Sequence, residues 1–123
     1  MQDFILVSSG AVLGANTRFL IYQRLQKLNI SCDFIILLIN IFACFCLGLS
    51  LSILPQISSL NFSFKLALFF SIGFLGSLST FSTFVYDLFE LFLQSNLLRA
   101  LNLFVFSVII GILAFALGYL LGN

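Results

Sequence analysis

The sequence predicts an all-α membrane protein with four transmembrane helices, and its composition is the first reason. Of its 123 residues, 62% are hydrophobic and only 7% are charged, and the mean hydropathy is +1.24. A soluble domain carries about 25% charged residues, and no soluble fold of this size hides so much apolar surface. The surface of this protein must therefore lie largely in lipid.

The spacing of the apolar segments is the second reason. They run over residues 4–22, 34–54, 66–93 and 98–121, and each is close to or longer than the roughly 20 residues that a helix needs to cross a bilayer. Each segment must be a helix, because a helix satisfies its own backbone polar groups in lipid. We therefore predict a single four-helix transmembrane domain over residues 1–123.

Polar and helix-breaking residues separate the predicted helices. The run QRLQKLN at 23–29 follows the first helix, Pro55 stops the second, and QSN at 94–96 divides the third from the fourth. Four crossings place both termini on the same side of the membrane.

The basic residues are distributed unevenly between the two sides. Arg24, Lys27 and Arg99 lie in or beside the first and third connections, and Lys65 lies on the opposite side. By the positive-inside rule this is a weak bias. It is compatible with insertion in one orientation or in both.

Small residues repeat along two of the helices, which favours close approach of helix backbones. They are Gly10 and Gly14 in the first helix, and Gly111, Ala114, Gly118 and Gly122 in the fourth. Because four short helices form only a small bundle, we also expect a homo-oligomer.

The composition argues against several classes of function. A net charge of +1 gives no basic patch for nucleic acid, and histidine is absent. The sequence contains no nucleophile–base pair, phosphate loop or metal cluster, so we expect no enzymatic activity. Cys32, Cys44 and Cys46 are interpreted as small packing residues, with a metal site or disulfide as the alternative.

The third helix contains the most unusual stretch, GFLGSLSTFSTF at 73–84. Gly73 and Gly76 weaken a helix, and the hydroxyl side chains that follow compete for backbone hydrogen bonds. We predict a break near Gly76–Thr80, which would free backbone carbonyl and N–H groups for ions. Such backbone is tolerated at membrane depth only inside protein or beside a cavity. The break should therefore lie at a subunit interface or a pore.

Three polar residues lie within the other helices, where they cost free energy and tend to be functional. Arg18 either extends to the membrane interface or attracts anions at the mouth of a vestibule. Asn40 either bonds to a neighbouring helix or lines a polar path, where its amide can donate to an anion. Ser107 either bonds back to its own helix or extends that path.

Phe81 and Phe84 share one helical face, flanked by hydroxyl groups. They either pack against lipid and protein or line a pore in which their positive ring edges face an anion. Proton coupling would need a carboxylate near the midplane. Asp87 is the candidate for that role, and the alternative is a solvated or paired carboxylate.

Three motifs resemble the CrcB/Fluc family of fluoride channels. GSLSTFSTF at 76–84 resembles the family signature, LINIFACFCLG at 38–48 its second-helix motif, and GAVLGANTRF at 10–19 its first-helix pattern. Together with the chain length and the four spans, the resemblance covers essentially the whole chain.

The resemblance implies a passive, fluoride-selective channel that exports cytoplasmic fluoride across the inner membrane of a prokaryote. It also implies an antiparallel, dual-topology dimer with two pores, and a structural Na⁺ at the dimer centre. By motif position, the backbone carbonyls that hold this ion belong to Gly76 and Ser79. The fluoride path implied by the family comprises Arg18, Asn40, Thr80, Phe81, Ser82, Thr83, Phe84 and Ser107.

The chain departs from the family pattern at five positions. They are Ala43, Ser77 and Leu103, where the family has glycine, glycine and often tyrosine, and Ser79 and Asp87, where it has threonine and usually glutamate. Because the side chains are not its ligands, a carbonyl site survives the changes at 77 and 79. The Leu103 change puts part of the polar track in question.

Other interpretations remain open at this point. The partner in the dimer is either a second copy or a homologous subunit of opposite orientation. A small multidrug-type transporter also has four helices, but by resemblance it relies on a first-helix glutamate, and residues 4–22 contain no acid. A non-conducting partner subunit is the third alternative.

Overall fold

The computed structural model describes residues 1–57, 60–79 and 81–123. Apart from the short connections, the described chain is helical throughout. The elements are α1 (Gln2–Gln26), α2 (Cys32–Ile57), α3 (Leu60–Leu66), a π-helical segment (Ala67–Leu75), α4 (Gly76–Leu78), α5 (Phe81–Leu93) and α6 (Leu97–Gly122).

Within the described residues, four stretches are long and apolar enough to cross a membrane. The first, second and fourth are α1, α2 up to Gln56, and α6. The third, called the third span below, runs over Asn61–Leu93. Two connections contain a residue with positive φ, Asn29 at 56° and Ser95 at 59°, a conformation that commonly follows the end of a helix. Pro55 does not stop the second helix as the sequence predicts, because α2 continues through it to Ile57. Proline at this place removes one backbone hydrogen bond, and its ring crowds the carbonyl four residues earlier.

The core is narrow, and the surface is mostly apolar. Ile35, Ile39, Ala43, Leu75 and Leu78 form the buried cluster, in which α2 meets the middle of the third span. Large apolar side chains elsewhere point outward along every helix, many of them more than half exposed. This distribution suits a protein whose outer surface is solvated by lipid hydrocarbon.

Glycines bring α1 into backbone contact with the third span. A Cβ added at Gly10 would clash with the carbonyl oxygen of Phe69, and one at Gly14 would clash with the Phe74 carbonyl and the Ser77 hydroxyl. The neighbouring turns of the third span are π-helical, a wider helix that is rare and often occurs near functional sites.

A second glycine contact joins α2 and α6. A Cβ at Gly48 would clash with the carbonyl oxygen of Phe115, and one at Gly118 would clash with that of Phe45. At the start of the two helices Asp33 pairs with Arg99, and at their ends Ser52 lies against Gly122. The two helices are therefore parallel and in close contact along their length.

A buried pair of hydroxyl groups fixes α2 against the π-helical segment. The Oγ atoms of Ser50 and Ser71 are 3.0 Å apart, and Ser50 also donates to the carbonyl of Leu47 at 2.9 Å. Both serines are buried, so their hydroxyl groups meet each other instead of lipid. Such a bond contributes about 1 kcal/mol within a membrane.

The contact of Gly118 with the α2 backbone predicts a position-specific cost for alanine on α6. Gly118→Ala should destabilise the fold by about 1–3 kcal/mol, because overpacking forces two backbones apart. Gly111→Ala is the matched control, since its Cβ would meet the Cys44 sulfur at an ordinary 3.6 Å. Unfolding titrations in mixed detergent micelles measure both, and equal stabilities would contradict the packing.

Candidate functional site

One residue of the third span, Ser79, has an extended backbone immediately before the phenylalanine motif. The turn α4 ends at Leu78, Ser79 has an extended backbone with φ −76° and ψ 137°, and α5 begins at Phe81. Ser79 bonds back to the last helical turn, with its N–H and hydroxyl donating to the carbonyl of Leu75 at 3.1 and 3.2 Å. Thr80, which was assigned to the fluoride path, lies outside the described residues.

Two cavities lie on either side of Asn40 and share it as a lining residue. The first has a volume of about 200 Å³ and is also lined by Arg18, Tyr22 and Thr83. The second has a volume of about 490 Å³ and extends from Asn40 toward α5 and α6. The half-buried Asn40 amide is thus the polar group at the boundary of both spaces.

The second cavity brings together several residues that the sequence had singled out. It is lined by Ser79, Phe81, Phe84 and Ser107, with Phe104 from α6 beside them. Its wall is predominantly aromatic and aliphatic, with few polar groups. A space of this type offers a small anion ring edges and isolated hydroxyl or amide donors, without a fixed cationic group.

The two motif phenylalanines have different environments within this cavity. Phe84 is buried, with 8% of its surface exposed, and stacks on Phe104 with ring centroids 6.3 Å apart. Phe81 is 78% exposed. The single subunit therefore fixes one ring by packing and leaves the other on its surface.

The remaining predicted residues are divided between the cavities and the surface. Arg18 and Thr83 line the first cavity, and both are half-buried. Ser82 and Gly76 are exposed, and a Cβ added at Gly76 would meet only the carbonyl oxygen of Ser71, at 3.9 Å. The subunit thus has an open face beside the interrupted part of the third span.

Sequence reasoning missed three residues that contribute to this region. Tyr22 lines the first cavity and donates from its hydroxyl to the Cys32 sulfur at 3.1 Å. Phe104 and Cys44 line the second cavity. Phe104 could have been found from its position three residues before Ser107, which places both on one helical face. Tyr22 could have been found in the same way, because it lies four residues after Arg18 on one helical face.

Asp87 lies buried in α5, and one of its two carboxyl oxygens has no hydrogen-bond partner among the described residues. This oxygen is Oδ2, and only 7% of the residue is exposed. A buried carboxylate oxygen without a donor is costly. Burial of this oxygen therefore costs free energy in α5, next to the phenylalanine motif.

The chain matches a known protein family over nearly its full length. Residues 5–119 match the family described as CrcB-like protein, Camphor Resistance (CrcB). The chain belongs to the CrcB family. Its motif at 76–84 includes the end of α4, the extended Ser79 and the start of α5.

Curated relatives of this CrcB protein carry channel names. It is 59% identical over 123 residues to the fluoride-specific ion channel FluC 2 of Prochlorococcus marinus (strain NATL2A), with 100% of this chain and 99% of the relative covered. It is 37% identical over 120 residues to FluC 1 of Parasynechococcus marenigrum (strain WH8102), with 98% and 93% covered. It is 39% identical over 102 residues to FluC of Mannheimia succiniciproducens, with 83% and 79% covered.

The unequal burial of the two phenylalanines predicts unequal effects on the stability of the subunit. Phe84→Ala should cost about 3–5 kcal/mol, because it leaves a cavity against Phe104. Phe81→Ala should cost less than about 1 kcal/mol, since an exposed side chain contributes little packing. Unfolding titrations of the monomeric chain in detergent measure both, and similar losses would contradict the structure.

Proposed function

We propose that this chain is a subunit of a fluoride-selective channel that lets cytoplasmic fluoride leave the cell passively and thereby reduces its toxicity. Membership of the CrcB family and full-length similarity to proteins named fluoride-specific ion channels support this assignment. The observation that carries it is the second cavity, where Asn40, Ser107 and the rings of Phe81 and Phe84 line one space.

The path for fluoride begins at Arg18 in the first cavity and continues past Asn40 into the second. The guanidinium attracts the anion to the mouth, and the Asn40 amide lies at the boundary of both cavities. Because fluoride is small and strongly hydrated, donors must replace its lost water. We assign this role to the Asn40 amide, the hydroxyls of Thr80, Ser82, Thr83 and Ser107, and the ring edges of Phe81 and Phe84.

A complete pore requires a second subunit in antiparallel orientation. The exposed positions of Phe81, Ser82 and Gly76 support this proposal, because polar backbone and hydroxyl groups at membrane depth need protein around them. The weak bias of the basic residues is compatible with dual topology. The partner is a second copy or a homologous subunit, and the numbered relatives FluC 1 and FluC 2 are consistent with paired forms.

The centre of this dimer would hold a structural Na⁺ between carbonyl oxygens of Gly76 and Ser79 from both subunits. Two observations support the fit. The ψ of 137° at Ser79 turns its carbonyl away from the direction shared by the carbonyls of α4, and the side of α4 at Gly76 is open. Neutral oxygens suit a hard monovalent cation, and the cation would offset the charge of a passing anion.

The four apolar spans assign the protein to the membrane, and the prokaryotic relatives favour the inner membrane of a prokaryote as its location. A multidrug-type transporter is disfavoured, because the acid of α1, Asp3, lies in its first turn. A non-conducting partner subunit differs from a channel in one measurable property, which is ion flux.

Liposomes loaded with fluoride and containing the purified chain should release it far faster than empty liposomes, and chloride should stay inside. Phe81→Ile should slow fluoride release by about tenfold, because losing a ring edge raises the barrier by about 1.4 kcal/mol. A fluoride-selective electrode follows the release.

The matched control for this substitution is Phe89→Ile, on the exposed surface of the same helix, which should conduct like the natural chain. Release no faster than from empty liposomes, with a folded dimer present, would refute the channel. Equal rates for the two variants would remove Phe81 from the path.

The dimer should depend on the open face at Gly76 and on sodium. Gly76→Val adds bulk that the subunit accommodates but a partner does not, so the chain should become monomeric while remaining folded. Replacing Na⁺ by N-methylglucamine should have the same effect on the natural chain. Light scattering of detergent-solubilised protein measures the mass, with Ala116→Val at an exposed α6 position as control. A stable dimer in all cases would refute this arrangement.

A further inference from the structure

A third groove lies away from the proposed ion path, between the start of α2, the end of α5 and the first half of α6. Its volume is about 310 Å³. The lining is polar at one end and apolar at the other. The polar mouth contains Ser31, Asp33, Arg99 and Asn102, and the apolar part includes Leu37, Leu103, Phe106 and Ile110.

The groove occupies a different face of α6 from the second cavity. Arg99, Leu103, Phe106 and Ile110 repeat every three or four residues along one face, whereas the second cavity uses the stripe that contains Ser107. From Arg99 to Ile110 the helix rises about 16 Å at 1.5 Å per residue. This length is about half of the roughly 30 Å thickness of the hydrocarbon core. The groove is therefore about as long as the hydrocarbon part of one lipid leaflet is thick.

At the mouth of the groove, the Arg99 guanidinium is only loosely paired with Asp33. The Nη2 atom of Arg99 lies 3.7 Å from Oδ2 of Asp33, and 64% of the Arg99 side chain is exposed. A charge-assisted hydrogen bond is about 2.7–2.9 Å long, so this pair is loose. Arg99 therefore has N–H donors available for an anion that enters from the membrane surface.

Two further features complement a polar anionic group at this mouth. The parallel helices α2 and α6 both begin here, and the positive ends of their dipoles favour negative charge. Asp33, which is 26% exposed, accepts hydrogen bonds from hydroxyl groups. The Asn102 amide and the Ser31 hydroxyl can each donate and accept. The mouth thus presents one cationic group beside several partners for hydroxyl groups.

We propose that this groove binds a glycerolipid whose headgroup carries one negative charge and free hydroxyl groups. Arg99 binds the anionic group, Asp33 and Asn102 bind the headgroup hydroxyls, and one acyl chain lies along Leu103, Phe106 and Ile110. The charged pair at the mouth gives this groove a polar end that the apolar faces of the helices lack. None of the residues that line this groove is among those assigned to the fluoride path.

Three lipids with identical acyl chains test the ligand class on the full chain in detergent micelles. Phosphatidylglycerol has the charge and the hydroxyls, phosphatidylethanol has only the charge, and phosphatidylcholine has a zwitterionic headgroup without hydroxyls. Native mass spectrometry should find phosphatidylglycerol retained most strongly. Equal retention of all three, equal retention of the two anionic lipids, or a groove closed by a second copy without lipid would overturn the proposal.

Substitutions at the mouth separate its two contributions. Arg99→Gln should weaken phosphatidylglycerol retention by about tenfold, since a hydrogen bond to a charged group is lost. Asp33→Asn should keep the preference for anionic lipids but reduce the preference for phosphatidylglycerol over phosphatidylethanol. Arg24→Gln is the matched control, because Arg24 is exposed in the last turn of α1. An equal loss in Arg24→Gln would indicate general charge attraction and refute a defined site.

Discussion

The structure depends on one constraint, which is that backbone polar groups inside a membrane must find partners within the protein. Helices α1, α2 and α6 meet this constraint as continuous helices, and α2 loses one hydrogen bond at Pro55 near its end. The third span changes its helical type, reaches an extended residue at Ser79 and resumes at Phe81. In lipid such a segment must be enclosed by protein. The second cavity is lined by Ser79 itself, and the proposed cation site and dimer contact use this residue or its neighbour Gly76.

Glycines let the helices of the bundle pack closely enough to enclose that irregular segment of the third span. Gly10 and Gly14 bring α1 onto its π-helical and α4 turns, and Gly48 and Gly118 join α2 to α6. The Ser50–Ser71 hydroxyl pair then links α2 to the π-helical segment. Since lipid gives no hydrophobic force between helices, close packing and such bonds must provide the stability. The subunit is consequently two tight helix pairs that meet around a small core.

Much of the fold can be predicted from the sequence. A helix that crosses a bilayer must be apolar over about 20 residues, and the sequence contains four segments of this kind. The small-residue stripe of α6 was also predicted, and Gly111, Ala114 and Gly118 are buried. The π-helical segment ALFFSIGFL carries no distinguishing pattern, since its apolar side chains suit any buried helix. The burial of Phe84 likewise depends on tertiary packing, because its ring stacks on that of Phe104 from α6. Sequence patterns were enough to predict the membrane-spanning helices. They could not predict the walls of the second cavity, because these depend on how α5 packs on α6.

The parallel contact of α2 with α6 has a further consequence for how the protein can move. The two helices supply opposite walls of the second cavity, Asn40 from one and Ser107 from the other. Gly48 and Gly118 hold these helices together by contact of backbone with backbone, so sliding or tilting one past the other would first have to separate the main chains. Opening and closing by helix motion is therefore costly at this point. The part of the second cavity that α2 and α6 line is therefore fixed when the subunit folds, which suits a proposed pathway that selects by chemistry.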